Sequence, residues 1–591
     1  MHAKTYLLQR STVVIIFSLF FCFESLTAQV VSTSTGGNWS SGSTWIGGIA
    51  PGPTSNVVID GNVKVDISIS CNNLTVNGSG TLSPPTFGNR TLTVNGSLTN
   101  YGIITDDFYR LYLNIAGDVI NNGTWANYRT TLNGADQNLS ATSPFTGNSL
   151  IRNNGPGKVI VWSDLELIGC IIKFNNDTLY MTDGYSITET DKRLENIVIE
   201  KDPAGSYPVT LNLSNAWYQF LTCIADTTIL LGDHQAGSSV VFKSNVVNNG
   251  SFKNYSSGSS TVTFEKSLIN NGSVTDNYYN TSLLLYGDLI NNGSLSNKYI
   301  YLRGTADQHI WSYNPITVNN ITNQELSGLV VAETDLSFSG TNVNLNNDTL
   351  KFTGGDSLHL EAGAKLINTV LLSVPAKAAG TFSIDMAGNS YVQNIVASAD
   401  GFNLSGDFQI NPGNSVLNGP VNILGTFRPT GTGSVTATLY GDVVNEGTIT
   451  NNYYSLTLNI AGNVVHNGVW DNNYTTLTGS GIRNINQTKP FGSNTFEVSG
   501  GINQVNFLSV CWFENTNCEM GGTTVVMPVK SSVILSAGKF RNAVLQANES
   551  ELLMSSACYF ENVSISNLDM HGFVLIGTGC SLDGLCRVFG S

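Results

Sequence analysis

The most charged stretch of the chain contains residue types that break down polysaccharides in other proteins. In TDGYSITETDKRLENIVIEKDP, residues 182–203, the ionisable side chains include Asp183, Glu189, Asp191, Lys192, Arg193, Glu195 and Glu200. A glycoside hydrolase needs two carboxylates facing one groove, and a lyase needs a calcium-binding acidic cluster with a basic proton acceptor. Here both signs of charge are mixed, as on a solvated face, and the corresponding segments GAKLINTVL and GKFRNAVL lack the acids. We therefore assign no catalytic residue to this stretch.

The histidines and the short motifs give no further catalytic signal. His234, His309 and His466 are scattered, and each is interpreted as a turn or surface residue. The sequence contains no G-x-S-x-G, H-E-x-x-H, phosphate-binding loop or calcium nonapeptide. We expect no catalytic residue, no cofactor and no metal ligand. Because the acids of β-helix enzymes lie far apart in sequence, a carbohydrate-active enzyme remains the alternative.

Aromatic pairs recur at equivalent places after the turns: Phe108-Tyr109, Tyr278-Tyr279 and Tyr453-Tyr454. Exposed tyrosine rings stack on sugars, so Tyr109, Tyr279 and Tyr454 are candidates for contact with an extracellular glycan. The alternative is that one ring of each pair fills the core while the other shields a loop, and packing arguments favour that alternative.

The cysteines show no zinc-binding spacing and no C-x-x-C motif. Cys558 and Cys580 lie one repeat apart, so they could stack at disulfide distance. Two buried thiols are an equal alternative.

Composition and charge exclude several classes of protein. The chain has 591 residues, of which 12% are charged and 41% hydrophobic, with a net charge of −15. Nucleic-acid binding is not expected, because no basic patch is present. Residues 1–28 form a predicted signal peptide, with a basic start, an apolar run from Val13 to Phe23 and a cleavage point after Ala28. No later stretch suits a transmembrane helix, so we expect a secreted or outer-surface protein.

An asparagine-glycine turn repeats through the chain every 21 or 22 residues, as in GDVINNG, GDLINNG and GNVVHNG. The chain also repeats with a longer period. Residues 92–125, LTVNGSLTNYGIITDDFYRLYLNIAGDVINNGTW, closely match residues 437–470, ATLYGDVVNEGTITNNYYSLTLNIAGNVVHNGVW. The chain is thus read as three copies of a unit of roughly 172 residues, each of about eight coils. The turn residues in question include Asn121, Asn122, Gly123, Asn291, Asn292, Gly293, Asn467 and Gly468.

Segments between the turns alternate with a period of two, which predicts strands and an all-β fold. Three short strands and three turns fill one coil, and stacked coils give a right-handed parallel β-helix (β-solenoid) of roughly 26 coils. Stacking brings the asparagines into columns that can bond amide to amide. Asparagine and glycine also tolerate the left-handed conformation, which we expect at this turn. Both arguments make the turn structural.

These repeats resemble the large secreted β-solenoid proteins of Bacteroidetes-type bacteria. The resemblance implies an adhesin-like surface or matrix protein, exported as type IX secretion cargo, although no sorting domain of that system is recognised here. The segment from Trp39 to Pro51, with its W-x5-W-x-G-G-x-x-P pattern, is similar to the start of such proteins. We interpret residues 29–66 as an N-terminal cap, with Trp39 and Trp45 covering the first coil rather than stacking on sugars. Residues 67–591 form the predicted β-helix, which we expect to be truncated at Ser591.

The sequence therefore predicts an exported structural or adhesin-like β-solenoid without catalytic activity, which binds an extracellular glycan or a surface protein. Its support is regular repetition with little concentrated polar chemistry. A polysaccharide lyase or glycoside hydrolase is the alternative. Three or more acids converging with a lysine or arginine in one groove would favour that alternative.

Overall fold

The computed structural model describes residues 29–589 except 148, 153–156, 256–257, 325–326, 375–379, 555–557, 572–574, 577–579 and 584–586. The predicted signal peptide and the predicted truncation at Ser591 lie outside the described residues. No helix in the described part of the chain is long and apolar enough to cross a membrane.

The fold is a parallel β-solenoid of about 24 turns, which confirms the predicted all-β class. The described residues form 69 strands and one short 3-10 helix, Gly42–Thr44. Coil length varies around the predicted 21 or 22 residues, and only 17 residues separate Tyr112 from its register partner Arg129. The coil that separates the stacked residues Asn368 and Asn394, for example, spans 26.

Three short strands make one coil, and each strand pairs in parallel with the equivalent strand one coil later. In the first copy, Leu98–Asn100, Ile103–Thr105 and Leu111–Ile115 pair with Val119–Asn121, Thr124–Ala126 and Arg129–Leu132. In the second copy, Leu268–Asn270, Ser273–Thr275 and Thr281–Leu285 pair with Leu289–Asn291, Ser294–Ser296 and Tyr299–Leu302. In the third copy, Val443–Asn445, Thr448–Thr450 and Leu456–Ile460 pair with Val464–His466, Val469–Asp471 and Tyr474–Leu477.

The core runs along the inside of the coils. In Leu111–Ile115, the side chains of Leu111, Leu113 and Ile115 are fully buried, whereas Tyr112 and Asn114 face outwards. Each buried aliphatic side chain contributes about 1.5–3 kcal/mol through removal from water. Because strands stack in register, these contributions form continuous apolar columns, and no single coil could form the core alone.

The backbone turns corners in two ways. Long strands such as Val209–Ile224 and Gly538–Met554 bend through asparagines with positive φ, including Asn215 at 51° and Asn542 at 53°. The asparagine-glycine turn does not, because Asn121, Asn122 and Gly123 all lie outside the positive-φ region. The prediction of a left-handed conformation at that turn is therefore wrong. The left-handed corners belong to other asparagines, in sequences such as LSNAW and FRNAV.

The N-terminal segment covers the first strand edge. Gln29–Val31 pairs in parallel with Asn56–Ile59 on one side. On its other side an antiparallel bridge joins Ser32 to Trp45, and the Ile46 N–H donates to the Val31 carbonyl at 2.8 Å. Trp39 and Trp45 are buried with ring centroids 5.1 Å apart. Neither ring is accessible for stacking on a sugar.

Candidate functional site

The first asparagine of the repeated turn points into the solenoid. Asn100 Nδ2 donates to Asn121 Oδ1 of the next coil at 2.9 Å, and Asn270 Nδ2 donates to Asn291 Oδ1 at the same distance. These four side chains are fully buried. They form an inner amide ladder in which the side-chain amides bond to the neighbouring coil, while the oxygens of Asn100 and Asn121 also accept a backbone N–H of their own turn, so most of this buried polar column is satisfied without water.

His466 takes the place of an asparagine in this inner ladder. Its imidazole lies 3.3 Å from Asn445 Nδ2 on one side and 2.9 Å from the Pro490 carbonyl on the other. Burial lowers the pKa of His466, which keeps the ring neutral at pH 7. The neutral ring supplies one donor and one acceptor, so it is a ladder member and not a surface residue. The interpretation of His234 as a turn or surface residue is wrong too, because it lies fully buried in the strand Thr227–Ala236 with its Nδ1 2.6 Å from the Tyr218 hydroxyl.

The second asparagine of the turn points outwards and forms a separate outer ladder. Asn292 Nδ2 donates to Asn271 Oδ1 at 2.7 Å, and the Thr142 hydroxyl donates to Asn122 Oδ1 at 2.7 Å. In the third copy Asn467 Nδ2 donates to Glu446 Oε1 at 2.8 Å. These bonds lie at the surface and compete with water, so each contributes little to stability.

Glycine ends the turn because the coils approach closely there. A Cβ on Gly123 would clash with the backbone of Gly102, one coil earlier, and a Cβ on Gly293 would clash with Gly272. The neighbouring coils are joined directly here, since the Thr124 N–H donates to the Gly102 carbonyl at 2.8 Å. The glycine column is thus set by coil spacing and not by backbone conformation.

The three aromatic pairs are all on the surface. Phe108, Tyr278 and Tyr453 are 89%, 83% and 92% exposed. Their partners Tyr109, Tyr279 and Tyr454 are 38%, 47% and 42% exposed. The expectation that one ring of each pair fills the core is therefore wrong. We call the segments 106–110, 276–280 and 451–455 the first, second and third aromatic loops.

Each aromatic loop is closed by the same hydrogen bond. The side chain of its first residue accepts a backbone N–H five residues later: Leu111 to Asp106 at 2.8 Å, Thr281 to Asp276 at 2.5 Å and Leu456 to Asn451 at 2.8 Å. An Asp or Asn side chain is well suited to this local closure. The loops lie about eight coils apart, which corresponds to ~40 Å along the solenoid.

The charged stretch at residues 182–203 is a set of paired charges. Lys173 Nζ and Arg193 Nε lie 2.6 and 2.7 Å from the two oxygens of Glu195. Although burial opposes it, hydrogen bonds from these two cations lower the pKa of Glu195. Glu189 instead lies inside the solenoid, between Leu167 and Leu213 of the adjacent coils.

Glu189 is protonated at neutral pH. Burial raises its pKa to about 9, against the backbone N–H groups of Lys192 and of Cys170, whose nitrogen lies 3.2 Å from Oε1. Its Oε2 atom has no hydrogen-bond partner among the described residues. Because the side chain is enclosed by leucines, we interpret it as a buried neutral acid and not as a catalytic group.

A separate groove of about 480 Å³ contains Tyr313, Glu333, Asp335 and Asp356. Burial, together with the nearby charges of Asp335 and Glu333, raises the pKa of Asp356. His309 Nδ1 lies 2.5 Å from Glu333 Oε1 at the edge of this cluster. The described lining has three acids but no lysine or arginine. Sequence reasoning missed this cluster because its acids come from different coils.

Beside the acids, Ser357, His359 and Asp385 line up in the order of a nucleophilic triad. Ser357 Oγ lies 2.9 Å from His359 Nε2, and His359 Nδ1 lies 3.8 Å from Asp385 Oδ2. However, the Ser357 hydroxyl and its N–H both donate to Asp335 Oδ1, at 2.8 and 2.6 Å. The hydroxyl proton is then directed to a carboxylate, and the imidazole donates rather than accepts, which is the wrong arrangement for a general base.

The cysteines are mostly buried among apolar side chains. Burial raises the pKa of Cys71 and Cys223 to about 12, so their thiols are unreactive at neutral pH. The strand register places Ser581 beside Ser564, so Cys580 follows the level of Val563 and not of Cys558. The Cys558 Sγ atom lies 3.1 Å from the Leu535 carbonyl. The disulfide between Cys558 and Cys580 stays a prediction, and the register does not favour it.

The described residues include no group of three or more His, Cys, Asp or Glu side chains that could hold a metal ion. Two surfaces of the described residues group side chains suited to contact with another molecule: the aromatic loops and the acidic groove. Comparisons with protein-family models, with curated proteins and with solved structures gave no match for this chain.

Proposed function

We propose that this chain is an exported, adhesin-like β-solenoid without catalytic activity, which binds extracellular glycan through its three aromatic loops. The observation that carries the proposal is the exposure of both rings in all three loops. Large rings held in water carry a free-energy cost, and the faces of sugar rings are the kind of partner they stack on.

The loops are suited to binding in two further respects. The closing hydrogen bond fixes each loop before a ligand arrives, which reduces the entropy lost on binding. The strand register places them at different corners of the solenoid, because the sheet that contains Leu111–Ile115 continues into Ser273–Thr275 and not into Thr281–Leu285, so the loops are presented on different sides of the rod. A matrix of many polysaccharide chains can engage loops on several sides of the rod at once, and linked contacts of this kind raise avidity by 10²–10⁴-fold in order of magnitude, even when each contact is weak.

The test is binding of a polysaccharide panel by affinity electrophoresis. One variant replaces all six loop aromatics with alanine: Phe108, Tyr109, Tyr278, Tyr279, Tyr453 and Tyr454. The control replaces Tyr101, Tyr207 and Tyr440, which are exposed elsewhere. We expect the six-alanine variant to lose retardation with an unchanged melting temperature, and the control to bind normally. Equal binding by both variants would refute the proposal.

Export to the cell surface, as type IX cargo, is the second part of the proposal, and it rests on the predicted signal peptide and the resemblance of the repeats. Fractionation of cells that express the full chain tests it. We expect the protein in the medium or at the outer surface, cleaved near Ala28. Recovery of the uncleaved chain from the cytoplasm would contradict it.

A carbohydrate-active enzyme is the second candidate, and the acidic groove favours it. A carboxyl with a raised pKa beside ionised carboxylates is the arrangement of a general acid and its partner. Incubation with the same panel, followed by assay of reducing ends and unsaturated sugars, tests this candidate. Release of sugars by the unmodified protein that is lost in Asp356→Asn and Asp335→Asn would establish the enzyme and would displace the non-catalytic proposal.

A further inference from the structure

The first aromatic loop differs from the other two in its surroundings. Its last residue is Arg110, and an adjoining outward position holds Arg129. The second copy has Asn280 and Tyr299 at these two positions, and the third has Ser455 and Tyr474. The strand register fixes the second of these equivalences. It pairs Tyr112 with Arg129, Ser282 with Tyr299 and Thr457 with Tyr474.

The two arginines alternate with two tyrosines on this face. The Arg110 guanidinium lies 3.8 Å from the ring centroid of Tyr128, and that of Arg129 lies 4.6 Å from the ring centroid of Tyr112. The two tyrosines meet edge to face, with centroids 5.5 Å apart. Stacking holds each guanidinium plane against the surface without using its N–H groups. We call these four residues the arginine–tyrosine patch.

No described carboxylate forms an ion pair with either arginine of the patch. Elsewhere in the chain Arg152, Arg193, Arg428 and Arg541 each pair with a carboxylate at 2.5–2.7 Å. Near the patch, burial raises the pKa of Asp106, and hydrogen bonds from the backbone N–H groups of Leu111 and Tyr128, together with the charge of Arg110, oppose this rise. Arg90, Arg303 and Arg483 likewise form no ion pair among the described residues, so the patch is distinguished by its geometry: two guanidinium groups stack on tyrosines beside exposed rings, in a chain with a net charge of −15.

We infer that the arginine–tyrosine patch binds the anionic groups of an acidic polysaccharide, while the adjoining rings of the first loop stack on its sugars. A guanidinium offers paired N–H donors that match a sugar carboxylate or sulfate. The inference rests on the proposed function, because it places a polysaccharide on this face, and it adds that the first loop selects acidic polymers. The second and third loops, which lack the arginines, would accept neutral ones.

The test compares polygalacturonate with neutral galactomannan as probes in affinity electrophoresis. The double variant Arg110→Gln/Arg129→Gln removes the two charges. The control Lys158→Gln/Lys365→Gln removes two cations that lie over Tyr180 and Tyr391 elsewhere. We expect the arginine variant to bind polygalacturonate about tenfold more weakly, with galactomannan binding unchanged. The lysine control should match the unmodified protein.

Salt gives a second measurement, because exposed charge contacts weaken as ionic strength rises. Binding of polygalacturonate should weaken with salt in the unmodified protein and become nearly independent of salt in the arginine variant. If the double variant fails to fold, as judged by its melting temperature, Arg110→Gln alone replaces it, since Arg110 is exposed.

Equal polygalacturonate binding by the unmodified protein and the arginine variant would overturn the inference, as would equal weakening in the lysine control. The six-alanine variant separates this result from the fate of the proposed function. Loss of galactomannan binding in that variant, with no effect of the arginines, leaves the aromatic loops as glycan sites and removes only the acidic preference. If binding of polygalacturonate still depends on the arginines after all six rings are lost, the aromatic loops are not glycan sites and the arginine–tyrosine patch remains the binding site.

Discussion

Asn121 and Asn122 are adjacent and chemically identical, yet they face opposite sides of the solenoid wall. Asn121 is fully buried, accepts from Asn100 and donates to the Ser143 carbonyl at 3.0 Å. Asn122 accepts only a surface hydrogen bond from Thr142. Successive residues of a strand point to opposite faces, so one step in sequence changes the environment from apolar core to water.

The repeated turn therefore contains two ladders, of which the inner one contributes more to the stability of the fold than the outer one. In the inner ladder a lost hydrogen-bond partner is not replaced by water, so the buried group left behind carries a free-energy cost. The outer ladder exchanges its partners with water at little cost. Replacements on the two sides should therefore differ strongly in their effect on the free energy of unfolding.

The largest effect is expected for Asn121→Asp. The change removes the amide donor to the Ser143 carbonyl and places a carboxyl group in the buried column. We expect a loss of about 3–4 kcal/mol at pH 8. The loss should shrink at pH 4, where the introduced acid is protonated. Urea midpoints at the two pH values measure this, and an unchanged midpoint at pH 8 would refute the inner ladder.

The next effect is expected for Gly123→Ala, at the end of the same turn. The added methyl group would clash with the backbone of Gly102, so two coils must separate locally. Overpacking of this kind costs about 2–3 kcal/mol. The matched control is Gly388→Ala, where no atom lies within 4 Å of the added methyl. A similar fall in melting temperature for both would show that coil spacing is not the reason for glycine.

Glu189→Gln replaces a buried side chain inside the solenoid and should stabilise the folded protein. The pKa of Glu189 is raised from 4.5 to about 9 by burial, so the folded chain holds a proton that the unfolded chain releases. Stability therefore falls as pH rises between these two values. The glutamine variant avoids this penalty, and we expect it to gain about 2 kcal/mol at pH 7 and nothing at pH 4.

Glu200→Gln is the outward-facing control for that measurement, and we expect no pH-dependent gain from it. Thermal unfolding of the unmodified protein and both variants at pH 4, 7 and 9 is sufficient. If Glu189→Gln destabilises the protein at pH 7, the carboxyl group makes a specific contact that glutamine cannot reproduce.

The smallest effect is expected for Asn122→Asp, on the outer side of the turn. Aspartate keeps the acceptor that Thr142 uses, and the new charge remains in water. A surface replacement of this kind costs less than about 0.5 kcal/mol. A loss comparable with that of Asn121→Asp would remove the distinction between the two ladders.

Much of the fold could be predicted from the sequence. The period of two within Leu111–Ile115 and the period of 21 or 22 residues between turns together leave little choice but stacked coils of short strands. The same repetition predicted columns of asparagine side chains. It could not separate the inner from the outer ladder, because the corner decides which of two adjacent asparagines enters the core.

The candidate sites were less predictable. The sequence identified the aromatic pairs, but it did not predict that both rings of each pair are exposed, because a Phe-Tyr or Tyr-Tyr pair fits a core as readily as a surface. The acidic groove was missed altogether. Glu333, Asp335 and Asp356 come from neighbouring coils, and their meeting depends on the stacking register.

The sequence by itself determined the coil, its length and its repetition, because these follow from local alternation and from turn chemistry that recurs at a fixed period. Only the tertiary structure decided why Gly123 is glycine, where left-handed asparagines such as Asn215 lie, and which arginines stack on tyrosine rings. These properties depend on the distance and register between coils. Residues one coil apart in sequence become nearest neighbours only when the solenoid has formed.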